Sequence, residues 1–438
     1  MSFVNVVRES GLHVRTLFGG EHKNKYLLET TGCGVAFYDY DNDGWLDIFL
    51  VNGWRLEGFP AGSEPISHLF RNNRDGTFTD VTAKAGLAHS GWGQGVCIGD
   101  YDNDGWEDLF VTYYGKNVLY HNNGDGTFTD VSQRSGIAAK KGRALGVGFA
   151  DYDGDGFTDI FIANDGMQQY LYHNNGNGTF SEVGLEAGAA LSEDGRRMSG
   201  MGVVFQDYDN DSRPDIMVTL LPREIYGVYH NDGDGAFTYR SLETGLGTLT
   251  SGSSGWSFGL EDFDNDGWKD LFVAQAHVLD NVEEIDPSLH YLQLPLLALN
   301  HNGRFESVNS GSTVPVAARG AAFGDLNNDG WQDVVVTTLG GHPQVFMNRG
   351  GKAHWLTITL RGTRSNRDGF GAKVRVNGQT RFATSTCGYL SASDKRLHFG
   401  LGTADKAKVD VAWPSGLHQT LNDVHADQFL EVREPEKP

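Results

Sequence analysis

Cysteine is scarce. The 438 residues hold three, Cys33, Cys97 and Cys387, too few for a disulfide framework, and Cys97, inside an apolar strand pattern, reads as a small buried side chain. No run approaches the 18 apolar residues of a membrane helix, which excludes membrane insertion by that route. The first residues, Met1-Ser2-Phe3-Val4-Asn5, contain neither a basic region nor an apolar stretch, so no signal peptide is visible. As given, the chain reads as cytoplasmic, with loops tight enough to fill at low free calcium, or as secreted if a leader was trimmed. Positive charge is also short. Against 57 Asp and Glu stand 35 Lys and Arg, a formal net charge of −22, which argues against nucleic acid as a partner. No Ser-His-Asp or Cys-His signature occurs, and no Gly-rich phosphate loop precedes a helix.

What the chain has instead is a repeated carboxylate ladder, Asp-x-Asp-x-Asp-Gly-x-x-Asp or a near copy, beginning at Asp39, Asp100, Asp151, Asp207, Asp262 and Asp325. Oxygen side chains fall at positions 1, 3, 5 and 9: Asp39, Asp41, Asp43 and Asp47; Asp100, Asp102, Asp104 and Asp108; Asp151, Asp153, Asp155 and Asp159; Asp207, Asp209, Asp211 and Asp215; Asp262, Asp264, Asp266 and Asp270; Asp325, Asn327, Asp329 and Asp333. A hard cation such as Ca²⁺ takes six to eight oxygens, and a tight loop supplies them from alternate residues, with a carbonyl at position 7. That carbonyl belongs to Trp45, Trp106, Phe157, Arg213, Trp268 and Trp331. Glycine at position 6 permits φ > 0. The reading is up to six structural Ca²⁺, which would bring the formal charge from −22 to about −10. The acidity is thus largely a metal requirement. An EF-hand needs a bidentate glutamate at position 12; here stand Leu50, Val111, Ile162, Val218, Val273 and Val336, so each loop leads into a buried strand rather than a helix. The loops are unequal. Ser212 replaces glycine in the fourth, at a cost of roughly 1 kcal/mol, and Asn327 replaces a carboxylate in the sixth, so the Asp207 and Asp325 loops are expected to bind most weakly.

One repeat reads as an inner strand (Gly95 to Gly99), the loop, a second strand, a connection, a third strand (Val118 to His121), a hairpin turn (Asn123-Gly124-Asp125-Gly126) and an outer strand (Phe128 to Val131). Four strands per 40 to 60 residues, repeated around a ring, is the pattern of a propeller blade. The fold is therefore expected to be all-β: a calcium-loaded β-propeller over residues 1–350, with six repeats counted and seven blades the alternative, followed by a small C-terminal β domain over 351–438. The terminal strand Phe3-Val4-Asn5-Val6 is expected to complete the last blade and leave no exposed edge. Beyond Trp355 the loops stop, and short alternating strands appear at 372–376, 396–399, 408–413 and 429–432.

Ser365-Asn366-Arg367-Asp368, Gly371-Ala372-Lys373-Val374, Gly388-Tyr389-Leu390-Ser391, His398-Phe399-Gly400-Leu401-Gly402 and Trp413-Pro414-Ser415-Gly416, together with the calcium loops, resemble the cartilage acidic protein family, also called ASPIC/UnbV. Its FG-GAP or VCBS-type propeller is similar to the head of integrin α chains. Members usually show seven repeats; this chain shows six.

Recognition and chemistry tend to sit in loops carried by a rigid scaffold, which directs attention to the rim opposite the calcium loops. Candidate catalytic residues there are Arg319, His277, Tyr113, Asp165 and His22; candidate ligand contacts are Trp54, Arg55, Trp92, Tyr114, Arg196, Arg197, Trp256 and His342. Each has a structural alternative: Trp92 and Trp256 as plugs of the axis, Arg319 and His277 as ties between loops, Arg196 and Arg197 as partners of Glu193 and Asp194. The connection from Ala276 to Pro295 is a candidate lid. Two functions follow. One is a lyase- or cyclase-type enzyme without a redox cofactor, holding a small organic substrate on aromatic faces while Arg and His stabilise negative charge. The other is a calcium-dependent module that binds a glycan or protein without catalysis.

Overall fold

A computed structural model describes residues 3–20, 25–26, 29, 31–99, 106–113, 118–131, 144–157, 159–175, 180–365, 367–384 and 386–436. The expected β-propeller is observed. Its sheets are built on antiparallel four-stranded units, five of them made from consecutive strands in the order predicted for the repeat. The first contains Val35–Tyr38, Asp47–Leu50, His68–Asn72 and Phe78–Asp80; the second Gly93–Gly99, Asp108–Tyr113, Val118–Asn122 and Phe128–Asp130; the third Ala144–Ala150, Asp159–Asn164, Tyr170–Asn174 and Phe180–Glu182. The fourth contains Val203–Gln206, Asp215–Val218, Gly227–Gly233 and Ala236–Tyr239; the fifth Gly255–Glu261, Asp270–Gln275, Leu296–His301 and Arg304–Val308. In the sixth, Ala318–Gly324, Asp333–Thr338 and Gln344–Asn348 are completed by the N-terminal strand Phe3–Asn5, with Phe3 opposite Asn348 and Asn5 opposite Phe346. Joining the two ends of the propeller segment in one sheet removes the edge that either end would otherwise expose.

Burial follows position in the sheet. The second strands Asp47–Leu50, Asp215–Val218 and Asp270–Gln275 are buried throughout, because sheets pack on both of their faces, and after the opening aspartate each continues in three or more apolar residues. The outer strand Phe78–Asp80 buries only Phe78. Between the first and second sheets lie Tyr38, Phe49, Val96, Leu109 and Phe128; between the fifth and sixth, Phe272, Leu297, Phe323 and Val334. At about 1.5 to 3 kcal/mol for each large side chain removed from water, these inter-sheet layers are the main force holding neighbours together.

Residues 354–433 add a three-stranded sheet (Leu397–Gly402, His354–Arg361, Gln428–Arg433) and a four-stranded sheet (Gln379–Phe382, Lys373–Val376, Lys406–Ala412, His418–His425). Their shared core includes Ile358, Val374, Phe399, Val409 and Trp413. One segment departs from this unit. The short strands Thr386–Cys387 and Ser391–Ala392 join the inner edge of the first sheet, with Ala392 parallel to Ala36, and this hairpin touches the innermost strand of every one of the propeller sheets described above. The hairpin therefore runs along the axis of the ring. Backbone hydrogen bonds fix it: Val96 N–H donates to the Leu390 carbonyl at 3.3 Å, and Val203 and Gly388 exchange N–H···O bonds at 3.0 and 2.9 Å. Gly95 allows the approach, since a Cβ there would lie 2.6 Å from Leu390 Cβ.

Candidate metal centre and the filled axis

The acidic loops whose first positions are described share one hydrogen-bond scheme. The position-1 carboxylate accepts from the backbone N–H groups of positions 5 and 6, as Asp39 does from Asp43 and Gly44, both at 2.8 Å, and Asp262 from Asp266 and Gly267 at 3.0 and 2.8 Å. Position 5 accepts from position 7, as in Trp45 N–H to Asp43 at 3.0 Å. Position 9 accepts from position 2, as in Leu326 N–H to Asp333 at 2.9 Å. Position 6 is left-handed in each described loop: Gly44 at φ 87°, Gly156 at 90°, Ser212 at 75°, Gly267 at 99° and Gly330 at 85°. Ser212 therefore adopts the conformation that costs a side chain most. The scheme aims carboxylate oxygens inward, and Asp39, Asp41 and Asp43 each place one within 4.8 Å of the others, as do Asp207, Asp209 and Asp211, and Asp151, Asp153 and Asp159. In the second loop Asp100, Asp102 and Asp104 lie outside the described residues; Trp106 and Asp108 are described.

These clusters could hold a metal, and their electrostatics fit one. Burial raises the Asp47 carboxyl to about 9 and the Asp262 carboxyl to about 7, and it pushes Asp270 and Asp333 well above the usual range. Asp325 is raised to about 6, again by burial first. Groups gathered this closely away from water keep their charge only beside a cation. Asp41 Oδ1 and Asp209 Oδ1 are buried without a hydrogen-bond partner, as oxygens reserved for an ion would be. Among the position-7 residues, Phe157 is exposed and Trp331 packs at 8 % exposure.

A second set of residues ties neighbouring loops together among the described residues, and the sequence reading passed over it. Asn72, Asn122, Asn231, Asn300 and Asn348 lie at or within two residues of the ends of the third strands, at no more than 3 % exposure. Each backbone N–H donates to the position-9 carboxylate of its own loop, at 2.7 or 2.8 Å. Each side-chain amide then reaches position 2 of the preceding loop: Asn122 to Tyr40 O, Asn231 to Tyr152 O, Asn300 to Tyr208 O, Asn348 to Phe263 O, and Asn72 to Leu326 O, at 2.8 to 3.0 Å. The last of these links the first loop to the sixth. Position-4 asparagines make a further tie, Asn210 to Gly267 O at 3.0 Å and Asn265 to Gly330 O at 3.1 Å. The detectable signal is Asn72, Asn122 and Asn231 standing six residues before Phe78, Phe128 and Phe237. It was hidden by the adjoining turn residues.

The C-terminal unit docks on this same loop face. Lys373 Nζ donates to Ser212 O at 2.6 Å, Arg381 pairs with Glu261 at 2.8 Å, Lys395 with Glu107 at 2.8 Å, and His398 Nε2 meets Asn265 Oδ1 at 2.7 Å. Arg396 donates to Asp325 O at 3.0 Å. From this platform the hairpin carries Tyr389 down the axis to the opposite end.

That arrival changes the expected cup. Tyr389 has no exposure, Trp256 1 % and Arg319 none. The Trp256 and Tyr389 rings meet edge to face at 5.0 Å, the Arg319 guanidinium lies 4.0 Å over the indole, and the Gly32 N–H donates to the Tyr389 hydroxyl at 3.0 Å. Arg319 also donates to Ala318 O and, at 3.4 Å, to His277 O. Trp256, read as a plug or a ligand plate, packs as a plug, and Arg319 is sealed behind it rather than facing a cavity. His277 is 8 % exposed and its Nδ1 accepts from Leu279 N–H at 3.0 Å; burial lowers its pKa. Trp92 is 5 % exposed beside Phe18 and Cys33. Around the rim the remaining candidates are dispersed. Tyr113 stacks edge to face on His89 at 5.1 Å, Arg55 covers Phe59 at 4.2 Å with Trp54 on the same ring, and His342 meets Val14 O at 3.0 Å. Asp165 is exposed. Arg196 pairs with Asp194 at 2.8 Å, and with Arg197 it lines a concavity of about 610 Å³ that also holds Arg223, Glu224 and Tyr239. The connection proposed as a lid contains the short helix Val282–Ile285 and is anchored by His277 N–H to Tyr291 O at 2.9 Å. His22 and Tyr114 lie outside the described residues. No helix among those described is long and apolar enough to cross a membrane.

Comparison with known proteins agrees with the two-part sequence pattern. The FG-GAP-like repeat family matches residues 39–111, 100–162 and 151–218, and the ASPIC and UnbV family matches residues 362–438. Cartilage acidic protein 1 of Mus musculus is 25 % identical over 432 residues, covering 92 % of this chain and 65 % of its own length, so the chain spans just under two thirds of that relative. Integrin alpha-7 of Mus musculus is 32 % identical over 110 residues, 23 % of this chain and 9 % of its own. Among solved structures, a lectin of Agrocybe aegerita that recognises non-reducing terminal N-acetylglucosamine is 18 % identical with a TM-score of 0.36, covering 73 % of this chain and 81 % of its own. The chain thus unites FG-GAP-like repeats with a C-terminal ASPIC and UnbV region, the arrangement that its resemblance to the cartilage acidic protein family implies.

Proposed function

We propose that the protein is a calcium-stabilised binding module that grips a glycan or protein partner on the face opposite its acidic loops, without catalysis in the axis. The observation that carries this reading is the filled axis: with Tyr389 and Arg319 fully buried and Trp256 at 1 % exposure, the arginine assigned to stabilise developing charge has no route to a substrate. An enzyme of lyase or cyclase type would need that group in contact with the reacting atoms.

Calcium is supported by oxygen-only ladders that end in strands, by buried carboxylates in want of a counter-charge, and by the FG-GAP-like match. Wrapped by four side chains and a carbonyl, such an ion has few open positions and serves structure. The position-1, -3, -5 and -9 carboxylates would hold it, and the asparagine clamps would pass its rigidity from loop to loop. The recognition surface we favour is the 610 Å³ concavity, where Arg196, Arg197 and Arg223 stand beside Glu224 and the Tyr239 ring. Arginine forks suit an acidic group, and an aromatic face suits a sugar or an apolar side chain.

The test is binding to immobilised panels of acidic and neutral glycans, with and without calcium, for the natural chain and for Arg197→Glu combined with Arg223→Glu. Calcium-dependent retention that the double variant loses at least tenfold supports the reading. Retention indifferent to both changes, or turnover of a small molecule that Arg319→Lys abolishes, overturns it.

A further inference from the structure

The fourth acidic loop differs from the others in carrying a buried imidazole. His230 lies on the strand Gly227–Gly233, one residue before the clamp Asn231, so it projects to the other face and points at its own loop. It is 5 % exposed. Its Nδ1 stands 3.2 Å from Asp209 Oδ2 and 3.3 Å from Asp215 Oδ1, and its Nε2 3.9 Å from Asp211 Oδ2. At these positions Nδ1 makes no hydrogen bond of acceptable angle, and neither does Asp209 Oδ1. Asp209, Asp215 and His230 each bring one donor atom within 4.8 Å of the other two. Donors bonded at about 2.0 to 2.2 Å to one ion lie at most about 4.4 Å apart, and the two distances from Nδ1, 3.2 and 3.3 Å, fall inside that limit.

A deeply buried imidazole and a serine in the left-handed turn set this loop apart, and it shares with the first loop, where Arg74 meets Asp43 at 2.7 Å, an arginine on a carboxylate. The equivalent strand position is Arg71 in the first sheet, where it pairs with Asp41 at 3.1 Å, His121 in the second, 3.3 Å from Asp108, His173 in the third, and Leu299 and Met347 in the fifth and sixth; of the three imidazoles His230 is the most deeply buried. Ser212 holds the left-handed turn at φ 75°. The Arg213 guanidinium engages Asp211, drawing one carboxylate away from a hard cation that depends on all of them. The last two features lower calcium affinity, and the imidazole raises affinity for borderline metals, which favour nitrogen where calcium favours oxygen.

We propose that the fourth loop is a mixed nitrogen and oxygen site for a divalent transition cation of the zinc class, ligated by His230, Asp209 and Asp215, and is not a weak copy of its calcium-binding neighbours. The proposal rests on the loops being metal sites. His173 shows the same approach in the third loop, with Nδ1 3.2 Å from Asp153 and 3.5 Å from Asp159, but it is more exposed.

The full chain, stripped with chelator and dialysed, is titrated with Zn²⁺ and separately with Ca²⁺ by calorimetry, and with Co²⁺ by visible absorption. His230→Gln is compared with the natural chain and with His173→Gln, and each variant's circular dichroism and melting in calcium check that it folds. Expected is a Zn²⁺ site that His230→Gln weakens at least tenfold, with a matching loss of Co²⁺ absorption, while calcium binding by the other loops is unchanged. Zn²⁺ affinity equal in the natural chain and His230→Gln overturns the proposal. So does a new tight calcium site in His230→Gln, which would identify the imidazolium as the loop's own cation. If calcium fails to stabilise the protein yet His230-dependent Zn²⁺ binding persists, the calcium reading falls and this one stands.

Discussion

Replacing Asn72 with alanine should open the seam between the first and sixth sheets. The side-chain amide donates to Leu46 O at 2.9 Å and to Leu326 O at 3.0 Å, and its carbonyl accepts from Arg74 N–H at 2.9 Å. The residue is 3 % exposed, so water has little access to replace what alanine removes. Two carbonyls lose a donor inside the protein, and a buried polar group left unpaired costs about 1 to 3 kcal/mol. The sum is about 3 to 4 kcal/mol after partial relaxation. Asn73→Ala is the control, because the Asn73 side chain is exposed and its amide only donates to the Thr77 hydroxyl and accepts from the Thr79 hydroxyl at the surface, so it should change stability by about 0.5 kcal/mol or less. Urea unfolding in saturating calcium, with both variants measured beside the natural chain, gives the comparison. Asn72→Ala falling within about 0.5 kcal/mol of Asn73→Ala would refute the clamp.

Other consequences follow from the same geometry. Burial raises Asp47 to about 9 and Asp215 to about 7 without metal, so the folded chain binds protons that an unfolded chain with carboxylates near 4 has released. Melts of the chelated protein should therefore fall as pH rises from about 5 to 8, and calcium should flatten the trend. Glu434 has the opposite sign: burial works to raise it, but donation from Ser365 N–H, the Ser415 hydroxyl and the N–H groups of Arg364 and Thr363 holds it at about 2. Its contribution is present above about 4.5 and is lost as pH falls toward 2, so Glu434→Gln should cost about 2 kcal/mol at pH 7 and shallow the acid limb of a pH–stability profile. Gly388→Ala puts a Cβ 2.5 Å from Phe258 N at φ 60°. Hydrogen exchange at residues 386–392 should rise by an order of magnitude or more, with the sheets of the ring still protected.

Much of this molecule was legible locally. The left-handed position-6 residues, the strands entered by Asp47 and Asp270, and the closure of the last sheet by Phe3–Asn5 all follow from short stretches in which spacing and residue type decide the conformation. The hairpin at 386–392 was not legible. Its two-residue strands have no period of their own, and their partners, Ala36, Val96 and Val203, lie 185 or more residues away. With the hairpin unseen, Trp256 read equally as a ligand plate or a plug and Arg319 equally as a ligand group or a tie between loops, since their chemistry is the same whether they face a substrate or Tyr389. The Asn72 class of clamps fell between these cases: the spacing is regular, but Asn-Asn-x-Asp-Gly is also hairpin-turn chemistry, and only the neighbouring loop's carbonyl distinguishes the two roles.

The central claim is that divalent cations in the acidic loops hold both the ring and the C-terminal unit docked upon it. Hydrogen exchange of the whole chain with calcium and with excess chelator tests it most directly. The account predicts that chelation deprotects the second strands that follow the loops, such as Asp47–Leu50 and Asp270–Gln275, together with the axial hairpin at 386–392. Identical protection in both conditions, with an unchanged melting temperature, would contradict it.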